Sequence, residues 1–266
     1  MKPHNRNFAA LILSALGLGL GLTGCATTSL REGAPYDQPA RQFPDSAVRI
    51  EVPIPSETLL DRISVGSGFL LSSKTGVTCA HVLRGQSEDK PVKAFISGHE
   101  HTLQVVGTDE KMDIAVFTIT PPASSAAVLP QALPMPRVAQ PVCVAGFPLP
   151  GVIVDKRPSV TGGIVSGINR SVICDGERID GLIQIDAVAS EGNSGGPVTT
   201  PEGQVIGMVV FAATGPHAEW RGATFAIPIK EVESVAEEII NKVSAAQVES
   251  NEGLSDQPSV KGLITK

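Results

Sequence analysis

From about Val48 to Ile227 the apolar residues come in short runs, broken again and again by glycine and proline. Val65-Gly66-Ser67-Gly68-Phe69-Leu70-Leu71, Asp113 to Ile119 and Gln204 to Phe211 are such runs, β-branched or mixed apolar segments of strand length. A helix needs an apolar stripe sustained over ten residues or more, and these runs end too soon for one. They predict an all-β chain, a sandwich or a barrel. Pro201-Glu202-Gly203-Gln204 reads as a hairpin turn between two of the strands. With 266 residues, the chain is long enough for a single core of that kind.

One segment breaks the pattern. Val232, Val235, Ala236, Ile239, Ile240 and Val243 recur at helical spacing, with Glu and Lys on the opposite face. This predicts an amphipathic helix laid on the β core. Past Ser244 the chain turns polar and is expected to be a loose tail over 245–266. The folded domain is expected over 46–244.

The N-terminus is set apart. Lys2 and Arg6 precede an uncharged apolar run, Phe8 to Leu22, which is shorter than the ~20 residues that a helical membrane span takes. It reads as a secretory signal over 1–24. The run ends in Leu22-Thr23-Gly24-Cys25, which resembles the lipobox of bacterial lipoproteins. The resemblance implies cleavage before Cys25 and acylation of its thiol. With Ala26 next, it implies a cell-envelope protein anchored by lipid in the outer membrane and facing the periplasm. Acylation by two or more chains anchors stably. Residues 25–45, rich in Pro, Thr, Ser and charge, read as a tether.

The formal charge of −6 becomes −8 once Lys2 and Arg6 leave with the signal. An acidic mature chain lacks the basic footprint of a nucleic-acid binder. Three further thiols, Cys79, Cys143 and Cys174, cannot all pair within one chain. One bridge plus a free thiol and three reduced thiols both fit.

The chemistry is concentrated in Glu191-Gly192-Asn193-Ser194-Gly195-Gly196-Pro197. A serine nucleophile needs backbone N–H groups converging on the oxyanion it creates, and glycines permit that tight loop. The same letters fit the G-x-S-x-G nucleophile elbow. That motif demands a helix directly after the serine, then an acid and a histidine downstream. Here a hairpin follows Pro197, and no Asp lies between Ser194 and His217, the one downstream histidine. The order that does occur is His81, Asp113, Ser194. His81 ends the apolar run Gly76-Val77-Thr78-Cys79-Ala80, and Asp113 opens Ile114-Ala115-Val116-Phe117. Each residue alone is ambiguous, but in that order the set points to a base, its orienting acid and a nucleophile.

From these residues the chain is identified as similar to the trypsin-like serine proteases of the HtrA/Deg type. The likeness runs from about Gly66 to Ile240. It takes in Gly66-Ser67-Gly68-Phe69, Ala80-His81-Val82, Val106-Gly107-Thr108-Asp109, Asp113-Ile114-Ala115-Val116, Gly146-Phe147-Pro148, Val160 to Ser166, Ile183 to Asp186, the Ser194 loop, Val205-Ile206-Gly207 and Phe225 to Pro228. The resemblance implies two six-stranded antiparallel β-barrels with a C-terminal helix, and a cleft between the barrels. It makes His81, Asp113 and Ser194 catalytic, and Gly192, Asn193 and Ser194 the oxyanion-hole loop. No cofactor and no metal are implied. Partners would be protein or peptide substrates, unfolded or envelope proteins among them.

The residue six before the nucleophile would floor the primary pocket, and it is Val188. Val210, Phe211 and Ala212 would line the cleft, with Ala223 on the far wall. With no carboxylate among them, the expected preference is for small to medium aliphatic residues; Asp186 lies two residues too early. Three departures from the family pattern stand out. Asn193 occupies the place where zymogen-type relatives have an Asp that pairs with a newly cut N-terminal amine. Val210 replaces a serine that bonds the catalytic Asp in digestive relatives. The chain leaves no room for a PDZ domain, so trimerisation and peptide sensing are not carried over. Two rival readings are a protease-fold lipoprotein that only binds peptides, and a metal function through His99 and His101 on one strand face.

Overall fold

The computed structural model describes residues 46–55, 62–130, 135–153, 155–174, 177–212 and 223–255. The expected signal, the tether and Cys25 lie outside them. Among these residues, twelve strands and one long helix follow the order that the apolar runs set out. The first six strands are β1 (Ala47–Ile54), β2 (Arg62–Leu70), β3 (Thr75–Thr78), β4 (Val92–Ile96), β5 (His99–Asp109) and β6 (Ile114–Thr120). They pair antiparallel in the order β1-β2-β3-β6-β5-β4, and β4 returns to β1 to close a barrel.

The second six are β7 (Pro141–Gly146), β8 (Ser159–Cys174), β9 (Glu177–Ile185), β10 (Pro197–Thr199), β11 (Val205–Ala212) and β12 (Thr224–Pro228). Their order is β10-β11-β12-β9-β8-β7, and it returns to its start where Val198 and Thr199 face Val144 and Cys143. The expected hairpin turn joins β10 to β11, with Gly203 at positive φ.

Alternation explains which face each strand buries. On β1, Val48, Ile50 and Val52 are fully buried and belong to the core with Phe69, Val77 and Phe117. The opposite face of β1 carries Arg49 and Glu51, as a period of two requires. That face is covered too. Arg49 Nε donates to Glu51 Oε1 at 2.8 Å, Lys156 Nζ lies 3.0 Å from the same oxygen, and the Arg49 guanidinium sits over the Phe147 ring. Lys156 itself lies over the Phe95 ring, 3.6 Å from its centroid. A second apolar cluster, including Val142, Val165, Ile183, Ile185, Val198 and Ile206, fills the second sheet.

Helix α1 (Ile229–Ser255) follows β12 directly. Val232, Val235, Ala236 and Ile239 are buried, and Ile240 packs partly buried against the same core. This is the stripe expected from the spacing. The helix packs on β5 and β6 as well as on β11 and β12. Gly107 on β5 lets it come close, since an added Cβ would lie 2.8 Å from Ile239 Cγ2. The helical backbone runs on to Ser255, past Ser244 where a loose polar tail was expected to begin. Ala245, Ala246, Gln247 and Glu249 are all adequate helix formers, so polarity alone did not end the helix. Among the described residues no helix is long and apolar enough to cross a membrane.

Candidate active site

His81 and Asp113 meet because two strand ends of the first barrel are neighbours. β3 pairs with β6, Thr78 facing Ala115. The chain leaves β3 into a short 3-10 turn, Ala80–Leu83, which carries His81. Asp113 immediately precedes β6 and sits at φ 54°, a left-handed conformation that Asp tolerates better than most residues. Its backbone carbonyl accepts from Ala80 N at 3.1 Å. Its carboxylate then grips the histidine twice. Oδ1 accepts the His81 backbone N–H at 2.8 Å, and Oδ2 lies 2.6 Å from Nδ1. The second contact fixes the proton on Nδ1 and leaves Nε2 as the basic atom.

Ser194 comes from the loop before β10, in the second half of the chain. Its hydroxyl donates to Val210 O at 3.4 Å, a long bond that rotation about one torsion releases. The loop backbone is held at every carbonyl from 191 to 194. Glu191 O accepts from Leu149 N (2.8 Å), Gly192 O from Ser67 Oγ (2.6 Å), Asn193 O from Gly196 N (2.9 Å) and Ser194 O from Ser67 N (2.9 Å). Among the described residues, neither Gly192 N nor Ser194 N donates to any backbone carbonyl. Backbone N–H groups left so beside a serine are donors of the kind an oxyanion needs. Gly192 and Gly195 have φ of 96° and 83°. A Cβ on Gly192 would fall on Phe147 O, and one on Gly195 would fall on Ser67 O and Thr78 Oγ1.

Cys79 lies behind the pair. Its thiol is fully buried, donates to Val209 O at 3.3 Å, and has His81 and Asp113 ligand atoms within 4.8 Å. Burial, and after it the Asp113 charge, push the thiol well above its ordinary pKa. Cys79, His81 and Asp113 form the one grouping of potential metal ligands among the described residues. Its histidine nitrogen is already engaged by the carboxylate. The pair expected for a rival metal site is divided: His101 is buried with Nδ1 2.7 Å from Pro121 O, while His99 is exposed. Cys79 and Cys143 are both free thiols, which removes a bridge between them.

The residues expected to form the specificity pocket take varied positions. Val188 is 58 % exposed, and its carbonyl accepts from Thr161 Oγ1 at 2.7 Å. Val210 is buried beside Ser194. Phe211 stacks on Phe225, ring centroids 5.1 Å apart. Ala223 is partly exposed, and the Ala212 side chain lies outside the described residues. Asp186, the nearest acid, spends its carboxylate on Ile164 N at 2.6 Å. Sequence reasoning missed Ser67 and Leu149 as supports of the loop. A hydroxyl between two glycines inside an apolar strand, Gly66-Ser67-Gly68, was the available signal.

Residues 66–208 match the family model of the trypsin-like peptidase domain. The chain is 35 % identical over 192 residues to a serine protease HtrA-like protein of Staphylococcus aureus strain RF122, covering 67 % of this chain and 24 % of that one. It is 33 % identical over 185 residues to the serine protease Do-like HtrA of Bacillus subtilis, covering 66 % and 39 %. The chain therefore spans between about a quarter and two fifths of those relatives' length. A crystal structure of a serine endoprotease from Yersinia pestis superposes with a TM-score of 0.62 at 26 % identity, covering 77 % of this chain and 66 % of that one.

Proposed function

The chain belongs to the family of trypsin-like peptidase domains, and we propose that it is a serine endopeptidase of the HtrA type acting through His81, Asp113 and Ser194 in a cleft between two six-stranded barrels. The observation that carries this reading is the double grip of Asp113 on His81, at the backbone N–H and at Nδ1. A carboxylate placed only to cap a turn has no need of the second bond.

In this reading His81 Nε2 takes the Ser194 hydroxyl proton as Oγ attacks the substrate carbonyl. Asp113 holds the Nδ1 proton and stabilises the imidazolium that forms. The oxyanion is received by Gly192 N–H and Ser194 N–H; in support, neither donates to a backbone carbonyl among the described residues. His81 then returns its proton to the leaving amine, and a water attacks the acyl-enzyme by the reverse path. Losing one oxyanion donor costs about 3 kcal/mol of transition-state stabilisation in such sites.

The substrates are proteins or peptides, and the preferred residue before the cut is small or medium aliphatic. Supporting that preference, no acid stands at Val188, Val210, Phe211, Ala212 or Ala223, and Asp186 is committed to Ile164 N. The setting is the cell envelope, with Cys25 acylated and residues 25–45 as tether, in the outer membrane and facing the periplasm. This part of the reading rests on the N-terminal sequence: Lys2 and Arg6, the apolar run, the lipobox-like Leu22–Cys25 and Ala26 after it. The rival is a protease fold that binds peptides without cutting them.

Unfolded casein and a fluorophosphonate probe test the proposal together. Cleavage of casein and labelling of the wild type, both abolished by Ser194→Ala, are the expected results. A wild type that binds peptides yet neither cleaves nor labels would establish the rival. Cleavage mainly after Arg or Lys in a peptide library would sink the aliphatic preference.

A further inference from the structure

We propose that Ser67 is the positioning residue that holds the oxyanion hole in its working form, from within the first barrel and independently of any newly cut N-terminus. This rests on the endopeptidase reading above.

Ser67 is fully buried on β2 and makes four bonds at one point. Its hydroxyl donates to Gly192 O at 2.6 Å and accepts from Phe147 N at 3.0 Å. Its backbone N–H donates to Ser194 O at 2.9 Å, and its carbonyl accepts from Thr78 Oγ1 at 2.6 Å. The hydroxyl has one proton to give, and the Phe147 amide occupies its acceptor side. Gly192 O is therefore where that proton goes.

The consequence for the hole is geometric. A peptide plane that turns its C=O toward Ser67 turns its N–H the other way, and the plane between Gly192 and Asn193 is the one that Ser67 pins. The neighbouring plane, whose N–H belongs to Gly192, is pinned through Glu191 O by Leu149 N. The plane after Asn193, whose N–H belongs to Ser194, is held through Asn193 O by Gly196 N. Ser67 bonds to both residue 192 and residue 194, so it fixes the two ends of the segment that carries the oxyanion donors. Through the Phe147 amide it also steadies the loop that supplies Leu149.

The Asn193 side chain does not share this task. It is 3 % exposed, and among the described residues its Oδ1 has no hydrogen-bond partner. The orientation of the loop is thus not set through that side-chain oxygen, where a carboxylate could have paired with an amine. The Gly146 backbone packs closely against both side chains, since a Cβ there would lie 2.8 Å from Ser67 Oγ and 2.5 Å from Asn193 Oδ1.

The test replaces the hydroxyl in two ways. Ser67→Ala removes it, and Ser67→Cys keeps nearly its volume with a poor donor. In each folded variant, kcat on a peptide amide should fall about 10- to 100-fold with KM little changed, the signature of an interaction made in the transition state. Affinity for a peptide aldehyde, whose tetrahedral adduct uses the hole, should fall in parallel, while affinity for a product peptide should hold. The pH profile of the reaction should not move. Wild-type kcat in either folded variant, or a loss shared equally by aldehyde and product peptide, would overturn the proposal. If Ser67→Ala does not fold, Ser67→Cys decides. A wild type without activity toward substrate or fluorophosphonate would instead count against the endopeptidase reading itself.

Discussion

Asp113 holds His81 at two atoms at once, with Oδ1 on the backbone N–H at 2.8 Å and Oδ2 on Nδ1 at 2.6 Å. The first bond fixes where the residue sits and the second fixes how its ring is turned. Asp113→Asn keeps a residue tolerant of the φ of 54° and leaves an acceptor for the backbone N–H, so the variant should fold. Its amide forces the wrong tautomer, and kcat at neutral pH should drop on the order of 10⁴-fold. Steady-state kinetics on a peptide amide, beside an unchanged circular dichroism spectrum, checks both halves.

Gly195 is a place where backbone and packing agree. At φ 83° a side chain is strained, and a Cβ would land on Ser67 O and Thr78 Oγ1. Gly195→Ala should cost about 2–4 kcal/mol of stability. A urea titration with an unchanged m-value would read that cost, and activity should fall further than the unfolded fraction explains.

Cys79 should be inert in the native protein. Burial first, and the Asp113 charge second, hold the thiol well above its ordinary pKa, and a thiol without thiolate character does not alkylate. Cys143 is raised as well, by burial and then by the Glu202 charge. Iodoacetamide at pH 8, followed by peptide mass mapping, should modify neither cysteine until the protein is unfolded. Rapid native labelling of Cys79 would contradict the packing behind His81 and Asp113.

Glu51 offers a pH-dependent contribution to stability. Burial is the largest influence on it and acts to raise its pKa, but the bonds from Arg49 and Lys156 and their charges outweigh it and leave the carboxyl below the ordinary 4.5. A group depressed in the folded state contributes its full stabilisation above its unfolded pKa, and loses it as pH falls through the folded value. Glu51→Gln should therefore be less stable than wild type by about 1–3 kcal/mol at pH 7. Below the ordinary 4.5 the two proteins should converge. Thermal melts at pH 7 and at pH 3 compare them.

Much of this was legible in the sequence, for physical reasons that can be named. Val48, Ile50 and Val52 alternate because a strand does, and Val232, Val235, Ala236 and Ile239 step by three and four because a helix does. The His81, Asp113, Ser194 order was visible because a triad needs specific side chains, and side chains are what a sequence spells out. The contacts it could not spell out are those that barrel closure creates. Ser67 meets Gly192 across 125 positions, and Lys156 meets Glu51 across 105. The local letters of neither pair announce the other. The carbonyls that shape the Ser194 loop belong to the backbone, which every residue shares, so no residue type marks them. The length of α1 was misjudged because polar composition weakens burial without weakening helix propensity.

The helix that follows β12 lies partly on β5 and β6, strands made more than a hundred residues earlier. On a chain delivered N-terminus first, His81, Asp113 and Ser194 all emerge before the segment that straps the second sheet to the first barrel. Ile239, buried in that strap, reaches its place against Gly107 only after all three have been made. A chain cut short before Ile229 would carry all three residues and lack the strap.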